Sequence, residues 1–266
     1  MQTVGYIAAS FIGISLGLIG GGGSILTVPV LVYLFGLDPM VSTLYSLFIV
    51  GTTSAVGTIS YIVEKNICYP TAFAMGVSSV TTVLLVRHFL LPSIPPVLFN
   101  LGGVTIGRDI AMMVLFAFLM VISAYFMIKS KEAVSDNDRK GKIAFPKQLL
   151  LYGVGIGLIT GILGAGGGFL LIPTFVIMLA FPMRKAVGTS LLVIAINSLI
   201  GFFSDVGHYE IIWSDLLIIT ALASAGILVG AAFGKRIDGM KLKRTFGFFV
   251  LAVGIFILLK VGASYT

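Results

Sequence analysis

Two runs of glycine, each set in an apolar stretch, limit what this chain can fold into. The first is Gly20-Gly21-Gly22-Gly23 and the second is Gly164-Ala165-Gly166-Gly167-Gly168, with Pro29 and Pro173 the same distance downstream. Inside a helix each glycine costs about 1 kcal/mol relative to alanine. In lipid, backbone groups freed by a break must find partners within protein or beside a water-filled cavity. Matched interruptions in two halves of a membrane chain are the best sequence pointer to a transporter's binding site.

Composition places the chain in a bilayer. Of 266 residues, 58% are hydrophobic and only 10% charged, against roughly 25% charged in soluble domains. The sole cysteine, Cys68, excludes an internal disulfide or a multi-cysteine metal site and is expected to be inert. Met1-Gln2-Thr3-Val4 lacks the basic segment of a signal peptide, so the first apolar stretch is expected to stay in the mature chain. The net charge of +7 does not imply nucleic acid, because six of the seventeen basic residues fall in 129–147 and five in 235–244. Such clustering marks cytoplasmic loops. Expected partners are therefore the lipid bilayer and a small solute, with no nucleic acid and with homo-oligomer formation left open.

Residues 4–19 and 25–35 would span roughly 24 and 17 Å at ~1.5 Å per residue. Neither matches a hydrocarbon core of about 30 Å, so a re-entrant hairpin fits best. Stretches 40–63, 71–91, 110–128, 186–206, 216–234 and 242–259 are each read as spans, and the apolar, Pro- and Gly-rich connection 92–107 as interfacial. Adding 144 carries Gly13, Gly17, Gly20, Pro29, Ser46, Ser54, Gly57 and Ser60 onto Gly157, Gly161, Gly164, Pro173, Ser190, Ser198, Gly201 and Ser204. The expected domains are a first transmembrane repeat (1–128), a cytoplasmic basic linker (129–147) and a second repeat (148–266).

The expected fold is an all-α polytopic membrane protein. Each repeat is a re-entrant or broken helical hairpin at a glycine run plus three transmembrane helices, with the repeats inverted. The alternative is eight crossings with parallel repeats. Loop 205–215 carries Asp205, Glu210 and Asp215 without Lys or Arg and is assigned to the outside. This scheme leaves Arg87 and Arg108 outside, against the charge rule. Arg87 with His88 reads as a span-end anchor, with an anion funnel as the alternative, and His208 as a surface histidine, with a proton relay as the alternative.

New helical pieces starting at the glycine tips would aim their N-termini at mid-membrane. Each terminus carries about +0.5 elementary charge and free N–H donors, which suits one small anion. Pro29 and Pro173 each remove an N–H and can kink the piece they sit in. No Asp, Glu, Lys or Arg lies in the middle of a span, so the expected lining is neutral. The substrate-binding candidates are Gly21, Gly22, Gly23, Ser24, Ser46, Thr53, Gly166, Gly167, Gly168, Ser190 and Asn197, with Thr27, Tyr45, Thr52, Thr189 and Ser198 as further donors. The competing reading of every hydroxyl is helix packing. No His, Cys or carboxylate cluster converges within the spans, so no enzyme, catalytic residue, metal or cofactor is expected.

The segments GLIGGGGSILTVP (17–29) and GILGAGGGFLLIP (161–173), each followed by a serine-bearing span (Ser46, Ser190), resemble the TauE/SafE sulfite exporter family, also called toluenesulfonate uptake permeases. The resemblance covers nearly the whole chain, and the stretch between Pro92 and Asp109 lacks a second-half counterpart of its length. It implies a bacterial inner-membrane secondary transporter for a small sulfur-containing or organic anion. An inside-negative membrane favours export by ~2.3 kcal/mol per charge per 100 mV. The alternatives are a channel-like anion pore and a proton-coupled importer, the latter drawing on Asp205 or His208.

Overall fold

The computed structural model describes residues 2–95, 97–101, 104–129, 146–163, 167–179, 181–234 and 239–263. The expected linker at 130–145 and the tip residues Gly164, Ala165 and Gly166 lie outside them.

The fold is helical. α1 (Gln2–Ile19) ends at the first glycine run, where a tight 3-10 turn (Gly21–Leu26) leads into α2 (Thr27–Leu34). α3 (Pro39–Val63) starts on Asp38, whose side chain accepts from Met40 N at 2.8 Å, with Pro39 at the first helical position. Both are favoured at helix starts. α4 (Tyr69–Leu85) continues through a π turn (Val86–Leu90) into the short α5 (Leu91–Ser93). The connection read as interfacial contains an antiparallel hairpin, β1 (Val97–Leu101) and β2 (Val104–Gly107), before α6 (Arg108–Lys129). α7 (Pro146–Leu163) precedes the second glycine run, then α8 (Gly168–Pro173) passes into a π turn (Thr174–Met178). α9 (Met183–Asp205), α10 (Trp213–Gly234) and α11 (Gly239–Ala263) complete the chain.

Among the described residues, Pro39–Val63, Tyr69–Ser93, Met183–Asp205 and Trp213–Phe233 are long and apolar enough to cross a membrane. The apolar parts of α6 and α11, Ile110–Phe126 and Gly247–Gly262, are shorter. Large apolar side chains such as Phe11, Phe73, Phe118 and Phe256 face outward, as a lipid-facing surface requires.

Packing is set by small residues. Gly13 and Gly17 of α1 lie against the α10 backbone at Ala223, Ile227 and Ala231, and Gly226 and Gly230 of α10 lie against Ser10 and Ile14. These small-xxx-small faces let the two backbones touch, the common means of helix association in lipid. The same contacts recur at an offset of 144: Gly157 of α7 meets Ser79 O of α4 as Gly13 meets Ala223 O, and Gly201 meets Val83 and Leu47 as Gly57 meets Ile227 and Leu191. α1 therefore packs on α10, α7 on α4, and α3 on α9.

The pairings also give directions. Leu47 meets Gly201 while Leu191 meets Gly57, so α3 and α9 are antiparallel. At one end of the bundle, Arg87 bonds Asp205 and Thr43. At the other, Gly188 abuts Tyr61 and Asn66, and Cys68 N donates to Thr189 Oγ1 at 3.0 Å. The 2–35 stretch starts and finishes at the Arg87 end: Gly5 and Tyr6 both lie against Phe35, the Tyr6 and Phe35 rings meeting edge-on.

Gly13→Val is expected to destabilise the fold by about 1–3 kcal/mol or more, because its Cβ would overlap Ala223 O and core overpacking costs that much. Gly155→Val, whose Cβ meets nothing, is the matched control. Thermal unfolding in detergent checks this, and equal melting of the two variants would contradict it.

Candidate functional site

Both glycine runs break their helices, and the breaks touch. Gly20 has φ +76° and ψ −140°, a conformation that strongly favours glycine. The following 3-10 turn contains Gly21, Gly22, Gly23 and Ser24 and folds back so that Gly23 packs on Leu16. Ser24 Oγ donates to Gly21 O at 2.7 Å, so this hydroxyl closes its own turn.

At the second break Gly167 is left-handed, with φ +65°, and caps α8; its carbonyl accepts from Leu170 N and Leu171 N at 3.1 and 3.2 Å. A Cβ on Gly167 would meet Thr160 Oγ1. Gly21 and Gly168 are in backbone contact, with no room for a Cβ on either. α9 runs past both tips: Val187 touches Gly20 and Ile194 touches Gly168.

The predicted lining divides into two groups. Ser190 Oγ donates to Val187 O at 2.8 Å, Thr189 accepts from Cys68 N, and Ile212 N donates to Tyr45 Oη at 2.7 Å, so these groups already have partners. Thr27, Ser46, Thr53 and Ser198 are fully buried with hydroxyls that meet no partner. Ser54 and Thr160 add two more such hydroxyls. Asn197 is also fully buried; its Oδ1 accepts from Ser79 Oγ at 2.9 Å, while Nδ2 has no partner. Leaving a buried polar group unsatisfied costs about 1–3 kcal/mol, so this density of orphan donors calls for an explanation.

Their placement supplies one. Thr53, Ser54, Asn197 and Ser198 sit mid-helix, where α3 and α9 cross with Gly51 against Leu199. Thr27 follows the first tip, and Thr160 abuts the second. Thr160 and Ser79 were not among the sequence candidates; Thr160 corresponds at the 144 offset to Leu16, the residue under Gly23, and that was the available signal. Pro29 lies in the first turn of α2, where its missing N–H costs nothing, whereas the helix after Pro173 changes into a π turn.

Arg87, read as a span-end anchor, lies near the end of its span but is buried. It is 4% exposed and ion-paired with Asp205, because the π turn Val86–Leu90 carries it inward. Asp205 is correspondingly no free loop carboxylate. Nearby, burial pushes the Tyr209 phenol above its ordinary pKa, and the Asp205 charge adds to the effect. Among the described residues, no group of three or more His, Cys, Asp or Glu is arranged to hold a metal.

Residues 6–257 match the family model described as "Sulfite exporter TauE/SafE". A probable membrane transporter protein of Xylella fastidiosa (strain 9a5c) is 25% identical over 98% of this chain and 96% of its own length. The probable membrane transporter protein YunE of Bacillus subtilis is 25% identical over 83% of this chain and 84% of its own. No solved structure matches the chain.

Proposed function

From the premise that the chain belongs to the sulfite exporter TauE/SafE family, we propose that this transmembrane transporter moves a small sulfur-containing or organic anion, of the sulfite or organosulfonate class, outward across the inner membrane. The observations that carry the reading are two helix tips that touch beside α9, and the buried, unpartnered hydroxyl and amide groups on α3 and α9 and next to the tips.

Binding follows from that chemistry. When the tips part, the N–H groups of the Gly21–Leu26 turn and of α8 face the space that opens, each with the positive end of a helix dipole behind it. Thr53, Asn197 and Ser198 complete the shell with neutral donors. A site without a buried counter-charge holds an anion weakly enough to release it. Gly22, Gly23 and Gly167 keep the tip backbones bare; Ser46 adds a hydroxyl that is already free, and the hydroxyls of Ser24 and Ser190 turn from local carbonyls to the cargo.

The topology we propose has inverted repeats, with one hairpin entering from each face. The exchange of contacts at the 144 offset and the antiparallel α3–α9 pair support it. The Arg87 end is then external, and the end carrying Lys129, Lys147, Arg184 and Lys185 is cytoplasmic, as the positive-inside rule prefers. Burial of Arg87 against Asp205 removes one of the two exceptions to that rule. No catalytic step is involved.

The test is sulfite flux from proteoliposomes under an imposed potential. Efflux from the face corresponding to the cytoplasm should rise as that side is made negative, and it should saturate and show counterflow. Flux indifferent to voltage and driven only by a pH gradient would falsify simple export in favour of proton-coupled uptake. Unsaturable flux would point to a pore.

A further inference from the structure

Arg87 is a buried charge that the site at the tips does not use. Its Nη1 pairs with Asp205 Oδ2, its Nη2 points at Thr43 Oγ1 at 3.5 Å, and its Nε has no partner. The guanidinium sits in a π turn, a local insertion found often at functional sites. It lies where the start of α3, the end of α4 and the end of α9 converge. Asp205 Oδ1 also accepts from Ser204 Oγ at 3.0 Å.

Thr43, which faces Arg87, also lines a small cavity of about 10 Å³ together with Val28, Pro39, Met112, Phe116 and Leu163. Val28 directly follows the orphan Thr27 of the first tip, and Leu163 is the last described residue before the second. The cavity is about the size of one water, and its lining includes residues next to both tips as well as Thr43.

We propose that Arg87 is a second anion-binding point on the outward path, and that the Asp205 carboxylate occupies it as a resident substitute for the departing anion. The inference rests on the export reading and deepens it. A guanidinium fork accepts carboxylate, sulfite and sulfonate oxygens by the same geometry, so a passing oxyanion competes directly with Asp205. Displacing the carboxylate frees the end of α9 from α4 and opens the outer end. When the anion leaves, Asp205 returns and the path closes. Retaining a buried ion pair is poorly explained by stability alone, since its desolvation cost can match its attraction.

Counterflow of sulfite in oriented proteoliposomes, with external sulfite varied, tests this. Asp205→Asn removes the competing charge and should lower the half-saturating external sulfite concentration roughly tenfold. Arg87→Gln should abolish that external dependence while sulfite still raises the melting temperature through the tip site. The charge swap R87D/D205R keeps an ion pair, so it should fold even where Arg87→Gln does not. It should still lack wild-type external affinity, because the guanidinium now sits on α9. A swap variant with wild-type affinity, or an Asp205→Asn protein with unchanged affinity, makes the pair a structural strut and overturns the inference. If unmodified protein shows neither sulfite counterflow nor a sulfite-induced thermal shift, the carrier reading fails and takes this one with it. Wild-type counterflow beside an unresponsive Asp205→Asn variant overturns the Arg87 role alone.

Discussion

Gly168→Ala should stop transport while the protein still reaches the membrane. The added methyl would overlap the Cα and carbonyl oxygen of Gly21, so the two tips could no longer make their backbone contact. A displacement on the order of 1 Å in a positioning element can cost about a hundredfold in rate, and flux is expected to fall by at least that much. Gly21→Ala acts on the same contact from the other side, because its Cβ would overlap Gly168. The double variant should therefore be no worse than either single one, the non-additivity expected of residues in direct contact. Gly155→Ala, whose Cβ would meet nothing within 4 Å, should transport normally. Voltage-driven sulfite efflux, normalised to protein in the vesicle, is the readout. Unimpaired flux in both tip variants would remove the tips from the mechanism.

The second large effect separates binding from packing. Asn197→Leu deletes an amide nitrogen that has no partner and leaves Ser79 Oγ its second acceptor, Gly76 O at 3.2 Å. Thr53→Val likewise deletes a buried hydroxyl without a bond. Replacing an unsatisfied buried polar group by an apolar one of similar shape is neutral or stabilising. Both variants should therefore melt no lower than the parent, and up to about 3 kcal/mol more stable. Their sulfite-dependent thermal shift should vanish. Such an inverse relation between stability and ligand response is a signature of groups kept for function. Lower melting with the sulfite shift intact would make these residues helix glue instead.

Much of this architecture is legible in the sequence because its causes are local. Gly20 and Gly167 adopt positive φ, so glycine at those positions announces the breaks. The spacing of Gly13 and Gly17, repeated as Gly157 and Gly161, announces close-packed helix faces. The rest depended on three-dimensional neighbours. Whether a serine closes its own turn, as Ser24 and Ser190 do, or stays unpaired, as Ser46 and Ser198 do, is decided by rotamer and surroundings rather than by residue type. Arg87 reads as a surface anchor because its partner is 118 positions away and because nothing in the sequence marks the π turn that carries it inward. The β1–β2 hairpin is not legible in the sequence, because strands of five and four residues are too short to show an alternating pattern.

The exchange of contacts between halves has a thermodynamic corollary. If each half can adopt the other's shape, the protein has two opposite-facing conformers built from the same packing. Their energies differ wherever the sequence departs from the 144 offset, and one such departure is the ion pair: the counterparts of Arg87 and Asp205 are Ala231 and Tyr61. A latch on one face alone would tilt that balance, and under the proposed topology the unloaded protein would rest sealed toward the exterior with its cytoplasmic mouth available.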